Sequence, residues 1–310
     1  MSETQDRFCK LPSGISLCYR THGDSNGVPL LLVAGLGQQL ISWPATLVDA
    51  LTNNGFFVIT FDNRDVGRSD RIHERPPGML QQLLRRPGEG YNLGDMAADT
   101  AGLLNGLGVD AAHLVGMSMG GMIAQTVAAR YPQHTLSLTS IFSTTGAPKV
   151  GQPTMGSMLR LVKPPARNRR QSIARFTAMV RHIGPTAYDV TDAELRDYAG
   201  QAWDRGLGPR DASGVGRQIG AIMRSGDRTE EVRKIKAPTL VIHGHRDPLV
   251  HPSGGKATAR AIRNAKLITL HGMGHYLPEG VLPELADLIS GHAQRNTPLN
   301  PQRRPILHSA

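Results

Sequence analysis

The chain has 310 residues, 39% of them hydrophobic and 5% aromatic, with two cysteines and a net charge of +10. That length can bury a large core unaided; two cysteines build neither a disulfide scaffold nor a cysteine-ligated zinc site, and no apolar run approaches the length of a bilayer span. The basic excess sits in residues 149–236 and in the last twenty residues, without RNP-like aromatics or zinc-finger spacing, which favours a solvated surface over a nucleic-acid site.

Taken in chain order, Arg7 to Arg20 reads as two short strands around Pro12-Ser13-Gly14. A two-residue turn at Ser13-Gly14 would set Cys9 directly opposite Cys18. Leu30 to Ala34 is a continuous apolar run, as expected of a strand buried on both faces. Trp43 to Asn53 has helical spacing and stops at Asn54-Gly55. Phe56 to Phe61 is the next buried strand. The polar turn Asp62 to Ser69 follows, then a Pro/Gly-rich excursion to Gly90. Asn92 can cap a helix running to about Leu107, with Asp95 at its third position. His113 to Met117 reads as a strand, Met119 to Arg130 as a helix stopped by Tyr131-Pro132, and Leu136 to Phe142 as a strand. Alternating strands and helices imply an α/β fold with a mostly parallel central sheet and helices on both faces.

The alternation stops between Gly146 and Glu231, where helical patterns appear without a strong strand. It resumes with a strand at Pro238 to His243, a helix near Gly255 to Ile262, a strand at Lys266 to Leu270 and a helix at Pro283 to His292. The expected organisation is an α/β core of residues 1–145 and 232–295, a helical cap at 146–231, and a disordered tail at 296–310 rich in Pro, Gln and Arg.

Gly116-Met117-Ser118-Met119-Gly120 fits G-x-S-x-G, with a strand entering and a helix leaving. The serine of such an elbow sits in a strained turn, where flanking glycines remove side chains that would clash. A serine hydroxyl at neutral pH needs a base, and the base needs an orienting carboxylate. The strand at Pro238 leads into Gly244-His245-Arg246-Asp247, and the strand at Lys266 leads into His271-Gly272-Met273-Gly274-His275. Asp247 and His275 therefore leave the same end of the sheet as Ser118, in the order serine, acid, histidine.

His243-Gly244-His245-Arg246-Asp247 also fits the H-x-H-x-D of metallo-hydrolases. No histidine follows that aspartate directly, and the serine elbow would be left unexplained, so no metal and no cofactor are expected. His271 could replace His275, but the end of the loop suits His275 better. His113 and His251 read as packing or surface residues. Asp62, Arg64 and Asp65 read as a charged turn beside a sheet edge, braced by an ion pair.

With these motifs in place the chain resembles the α/β-hydrolase family over nearly its whole length. Val33-Ala34-Gly35-Leu36-Gly37 and the run from Phe61 to Ser69 carry the likeness beside the elbow and the two late loops. The run from Phe61 and the histidine loop look most like the branch of aclacinomycin methylesterase and related bacterial carboxylesterases. The resemblance implies a serine esterase with Ser118 as nucleophile, His275 as base and Asp247 as acid. It implies an oxyanion hole formed by the backbone N–H groups of Leu36 and Met119. Many relatives carry His-Gly before the first oxyanion residue, where this chain has Ala34-Gly35; the donor is backbone, so the change leaves it intact.

In such relatives a lid follows the strand at Leu136 to Phe142, which is where residues 146–231 fall. Met155, Met158, Trp203 and Met223, with Leu159, Phe176, Met179 and Ile219, are candidates to line an acyl or alcohol pocket there. A small-molecule ester is the expected partner, with no nucleic acid and no integral membrane association. No basic-then-apolar segment opens the chain, and a cytoplasmic location is expected. Two other readings stay open: a C–C bond hydrolase or cofactor-free perhydrolase on the same triad, and a non-enzymatic ligand sensor on the hydrolase fold. Oligomeric state is not legible.

Overall fold

Pro12, Ser13 and Gly14 make the first turn of the chain. In the computed structural model, which describes residues 5–73, 75–76, 78, 88–161, 166–184 and 187–298, they form a three-residue loop. Leu11 N–H donates to Ile15 O at 2.8 Å, Gly14 N–H donates to Leu11 O at 2.9 Å, and Gly14 has φ +86°. The loop joins β1 (Arg7–Lys10) to β2 (Ser16–His22). The expected two-residue turn is one residue too short: Cys9 lies opposite Leu17, and Cys18 opposite Phe8. Proline at the first turn position and a left-handed glycine at its end are the chemistry of this longer loop. Because strand side chains alternate, the one-residue slip puts the two cysteines on opposite faces, and both are free thiols.

The other strands are β3 (Val28–Val33), β4 (Phe56–Phe61), β5 (Ala112–Met117), β6 (Thr135–Ile141), β7 (Thr239–Gly244) and β8 (Lys266–Leu270). They form one sheet in the order β1-β2-β4-β3-β5-β6-β7-β8. β2 is antiparallel to β1 and to β4; every pair from β4 onward is parallel. The parallel strands are apolar along both faces because helices cover both. Leu31, Val33, Ile59 and Phe61 belong to one buried cluster, and Leu30, Leu32 and Val58 to the other.

Helix α1 (Ala45–Asn53) starts two residues later than the apolar spacing suggests. Trp43 precedes Pro44, and a residue before proline is disfavoured in the helical region; it is extended, with ψ 115°. Helix α2 (Leu93–Gly106) begins as expected: Asn92 Oδ1 accepts from Gly94 N–H at 2.6 Å, and Asp95 Oδ2 accepts from Asn92 N–H at 2.7 Å. Helix α3 (Met119–Arg130) shares the first face with α2, through Leu93, Met96, Ile123 and Val127.

Between β6 and β7 the described residues form five α-helices, one short 3-10 helix (Gly208–Arg210) and no strand. The α-helices are α4 (Met155–Leu161), α5 (Arg169–Ile183), α6 (Asp192–Arg205), α7 (Asp211–Ser225) and α8 (Thr229–Val232). Two helices close the chain, α9 (Ser253–Ala261) and α10 (Leu282–Arg295); α10 packs beside α1 on the second face through Leu282, Leu285 and Ile289. Asn296 and Thr297, expected in the disordered tail, continue the fold instead. Thr297 Oγ1 sits 3.0 Å from His113 Nε2 and donates to Ala293 O at 3.0 Å. The rest of that tail, from 299, lies outside the described residues, as does most of the Pro/Gly-rich excursion before Gly90. Among the described residues no helix is long and apolar enough to cross a membrane.

The charged turn after β4 is not at a sheet edge, because β4 pairs on both sides. Asp62, Arg64 and Asp65 do not brace one another; they are buried, and each reaches a distant partner. Asp62 accepts from Leu40 N–H at 2.7 Å and Arg205 Nη1 at 2.6 Å, and Arg64 pairs with Asp99. Asp65 accepts from Arg217 at 2.6 Å and from Tyr91 Oη at 2.7 Å. Two of these partners, Arg205 and Arg217, come from α6 and α7. Buried carboxylates need such pairing, and here it ties the helical segment to the sheet.

Candidate active site

Ser118 lies between the end of β5 and the start of α3 with φ +55° and ψ −122°, a backbone conformation costing about 1–3 kcal/mol in a non-glycine residue. Its neighbours hold it there: Ser118 N–H donates to Ile141 O at 2.9 Å, and Ser143 Oγ donates to Ser118 O at 2.8 Å. The glycines are required by close approach. A Cβ on Gly120 would fall 2.0 Å from Val33 O, and one on Gly116 2.3 Å from Gly120 O.

Asp247 follows β7 and His275 follows β8, so both stand with Ser118 at the carboxyl ends of parallel strands. His275 Nε2 lies 2.9 Å from Ser118 Oγ, and His275 Nδ1 lies 2.6 Å from Asp247 Oδ2. An ionised carboxylate can only accept, so Nδ1 carries the ring proton and Nε2 faces the serine with its lone pair. The other oxygen, Asp247 Oδ1, accepts from the N–H groups of Leu249 and Val250, each at 2.8 Å. Burial alone would push this carboxyl up, but His275 and His243 hold it down at about 2. The Phe142 ring packs against the imidazole, centroids 4.4 Å apart. The structure thus brings together all three residues that the sequence singles out.

Leu36, in the loop after β3, and Met119, the first residue of α3, flank the serine. A Cβ on Gly35 would be 3.3 Å from Ser118 Cβ, so the loop runs against the elbow. The amides around Leu36 and Met119 are occupied: Gly35 N–H donates to Gln38 Oε1, Gly37 N–H to Gln218 Oε1, and Ser118 N–H to Ile141 O. For the Leu36 and Met119 N–H groups no acceptor is recorded among the described residues. Both are backbone donors in segments that adjoin Ser118.

The helical segment touches each of these loops. Ile183 O, at the end of α5, accepts from His275 N–H at 2.6 Å. Thr154 N–H and Ser157 Oγ both donate to Pro248 O, each at 2.9 Å, next to Asp247. Gln218 reaches Gly37, and Ala202 O accepts from Gln39 Nε2 at 2.7 Å. These contacts carry no signal in the sequence: three of the acceptors, Ile183 O, Pro248 O and Ala202 O, are backbone carbonyls, and a glutamine inside a helix carries no motif.

The remaining candidates scatter. His243 Nε2 faces Val250 O at 2.8 Å and Asp247 Oδ2 at 3.5 Å, whereas the His245 ring turns to His271, 4.9 Å away. The H-x-H-x-D residues therefore do not converge, and among the described residues no group of three or more His, Cys, Asp or Glu side chains could hold a metal. His113 is buried against Ser137, and His251 is exposed beside Ser253. Of the pocket candidates, Met155 is 75% exposed and Leu159 59%, so both stand open at the surface rather than in an enclosed pocket. Phe176 packs on Tyr198, ring centroids 4.9 Å apart, within the helical segment itself. Met158, Met179, Trp203, Ile219 and Met223 are half-buried.

Comparison with known proteins places these features in context. The family described as alpha/beta hydrolase fold matches residues 28–279. A rhodomycin D methylesterase of Streptomyces peucetius is 30% identical over 300 residues, covering 89% of this chain and 94% of that one. A bifunctional esterase/perhydrolase of Acinetobacter calcoaceticus is 24% identical, covering 86% and 91%. Among solved structures, the enol-lactonase from Burkholderia xenovorans superposes with a TM-score of 0.67 at 25% identity, over 94% of this chain and 99% of that one.

Proposed function

The chain belongs to the alpha/beta-hydrolase family, and on that premise we propose that it is a serine esterase cleaving small carboxylic esters through an acyl-enzyme. The observation that carries this reading is one imidazole, His275, spanning from Ser118 Oγ at 2.9 Å to Asp247 Oδ2 at 2.6 Å.

In this reading Ser118 Oγ attacks the ester carbonyl carbon while its proton passes to His275 Nε2. The carbonyl oxygen becomes an oxyanion beside the N–H groups of Leu36 and Met119, donors already in place before charge develops. Asp247 balances the imidazolium and fixes its tautomer. The tetrahedral intermediate collapses as His275 protonates the leaving alcohol, and the acyl group remains on Ser118. Water then repeats the sequence: His275 takes its proton, hydroxide oxygen joins the acyl carbon, and the carboxylic acid leaves as Ser118 regains its hydrogen.

Residues 146–231 act as the cap over this site, with Met158, Trp203 and Met223 the half-buried side chains available to meet acyl or alcohol groups. Methionine is flexible, which favours tolerance of acyl shape over tight selection. The named activity of the Streptomyces relative, a methylesterase, supports including methyl esters among the substrates. The test is a hydrolysis screen of esters graded in acyl and alcohol size, with Ser118→Ala as the blank. Loss of a triad member should leave only the residual of about 10³–10⁴ over water that binding and the oxyanion hole supply. Turnover in Ser118→Ala within tenfold of the parent would end the serine mechanism.

A further inference from the structure

The Leu36 N–H stands between two amides that carboxamide side chains occupy. Gly35 N–H donates to Gln38 Oε1 at 2.8 Å, and Gly37 N–H donates to Gln218 Oε1 at 2.9 Å. Gln38 is three residues along the same loop, whereas Gln218 comes from α7, 181 residues away. Gln218 is fully buried, and its Nε2 donates to Arg64 O at 2.9 Å. One carboxamide thus uses both ends, accepting from the loop after β3 and donating to the turn after β4.

That loop carries a left-handed glycine where it meets Gln218. Gly37 has φ +67°, in the left-handed region that only glycine occupies freely, and Gly35 sits on the other side of Leu36. With glycine on both sides, the direction of the Leu36 peptide depends on what its neighbours bind. Helix α7, by contrast, is firmly seated. Gly214 comes so near that a Cβ there would fall 2.0 Å from Asp65 O, and Arg217 pairs with Asp65 at 2.6 Å. Gln218 therefore links the position of a fixed helix to the glycine-flanked Leu36 peptide.

We infer that Gln218 is a positioning residue for the oxyanion hole: by holding Gly37 N–H it aims the Leu36 N–H at the space beside Ser118. It need not touch substrate. The inference rests on the serine-esterase reading and adds to it a part for a residue of the helical segment. A donor that serves the oxyanion must lie about 2.7–3.1 Å from where the charged oxygen will be, not from the ground-state carbonyl. Misplacing it weakens the transition state more than the Michaelis complex, so the loss belongs in kcat rather than KM.

The test compares three substitutions under saturating and limiting ester. Gln218→Met keeps the volume and removes both acceptor and donor; kcat should fall about 10²-fold with KM close to the parent value. An alkylboronic acid, which adds to Ser118 Oγ as a tetrahedral adduct, should lose affinity in step with kcat, while the product carboxylic acid binds as before. Gln218→Glu keeps an acceptor for Gly37 N–H but sets a buried carboxylate against Arg64 O. It should melt no higher than Gln218→Met yet retain more kcat. Gln218→Asn, one methylene shorter, cannot reach Gly37 and takes the place of Gln218→Met should that variant not fold. Activity that simply follows melting temperature across the series, or parental kcat in Gln218→Met or Gln218→Asn, would overturn the inference. If the parent hydrolyses no ester, or Ser118→Ala stays active, the esterase reading fails instead, and the two failures are distinct.

Discussion

His275 N–H donates to Ile183 O at 2.6 Å, so the last residue of α5 grips the loop that carries the imidazole. The approach is close enough to exclude side chains. A Cβ on Gly274 would fall 2.2 Å from Ile183 O and 2.3 Å from Gly184 O. The glycine before His275 is thus needed for contact with the helical segment, not for an unusual φ.

Gly274→Ala should accordingly push the histidine loop off α5. The expected loss in kcat is roughly 10²-fold, as for a misplacement of about 1 Å at the reacting centre. Steady-state kinetics beside thermal melting check it; unchanged kcat would show that the contact does not set the position of His275.

Asp247→Asn keeps the shape of the site but removes the charge that fixes the His275 tautomer. By analogy with the protease triad, kcat should drop about 10⁴-fold. The pH dependence follows from the same carboxyl, held down at about 2 against an ordinary 3.8. A depressed folded value gives stability that is present above 3.8 and lost as pH falls through about 2. From pH 5 to 8 Asp247 therefore stays ionised and does not itself contribute to the profile. The acid limb of log kcat/KM should rise with a slope of one proton. A slope of two, or a flat profile, would remove His275 as the single base.

Arg205→Met tests the tie between α6 and the sheet. Arg205 is 7% exposed, and it pairs with Asp62 at 2.6 Å and Asp6 at 3.1 Å. Asp6 keeps Arg20 and Arg68, but Asp62 is left a buried carboxylate without its counter-charge, at a cost of about 3–5 kcal/mol. Urea unfolding measures it. A cost near zero would mean that water replaces the guanidinium without penalty.

The cysteines give a chemical check on the first hairpin. Cys18 is fully buried, and burial, with Asp62 nearby, pushes its thiol up to about 12. Neither thiol should react quickly with a disulfide reagent in the native protein at pH 8, both should react in denaturant, and mild oxidation should not join them. Formation of a Cys9–Cys18 disulfide without unfolding would restore the register that the three-residue loop displaces.

Legibility in the sequence followed periodicity and fixed motifs. The parallel strands could be read because apolar runs of six residues have no other use, and α2 because Asn92 and Asp95 are a chemical start signal. Ser118, Asp247 and His275 could be placed because each follows a strand at the same end of the sheet. What escaped was what two distant segments do to each other. The hairpin register turned on one residue of loop length, and the partners of Asp62 and Asp65 lie well over a hundred residues away, at Arg205 and Arg217. Gln218 and Ile183 act through a carboxamide and a carbonyl, groups without a sequence signature.

The grip of the helical segment on Gly37, Pro248 and His275 bears on how such a protein can change over generations. Its inward contacts mix backbone groups (Ile183 O, Ala202 O, Thr154 N–H) with the side chains of Ser157, Arg205, Arg217 and Gln218, so a transplanted segment from a relative would have to reproduce their positions, not merely their residue types. Its outward faces carry exposed pairs such as Arg169–Asp204 and Arg181–Asp192, which cost little to lose. Drift and insertion are therefore tolerated on the solvent side of α5 and α6 but not where the segment meets the sheet. The segment is free to diversify outward and bound to stay still underneath.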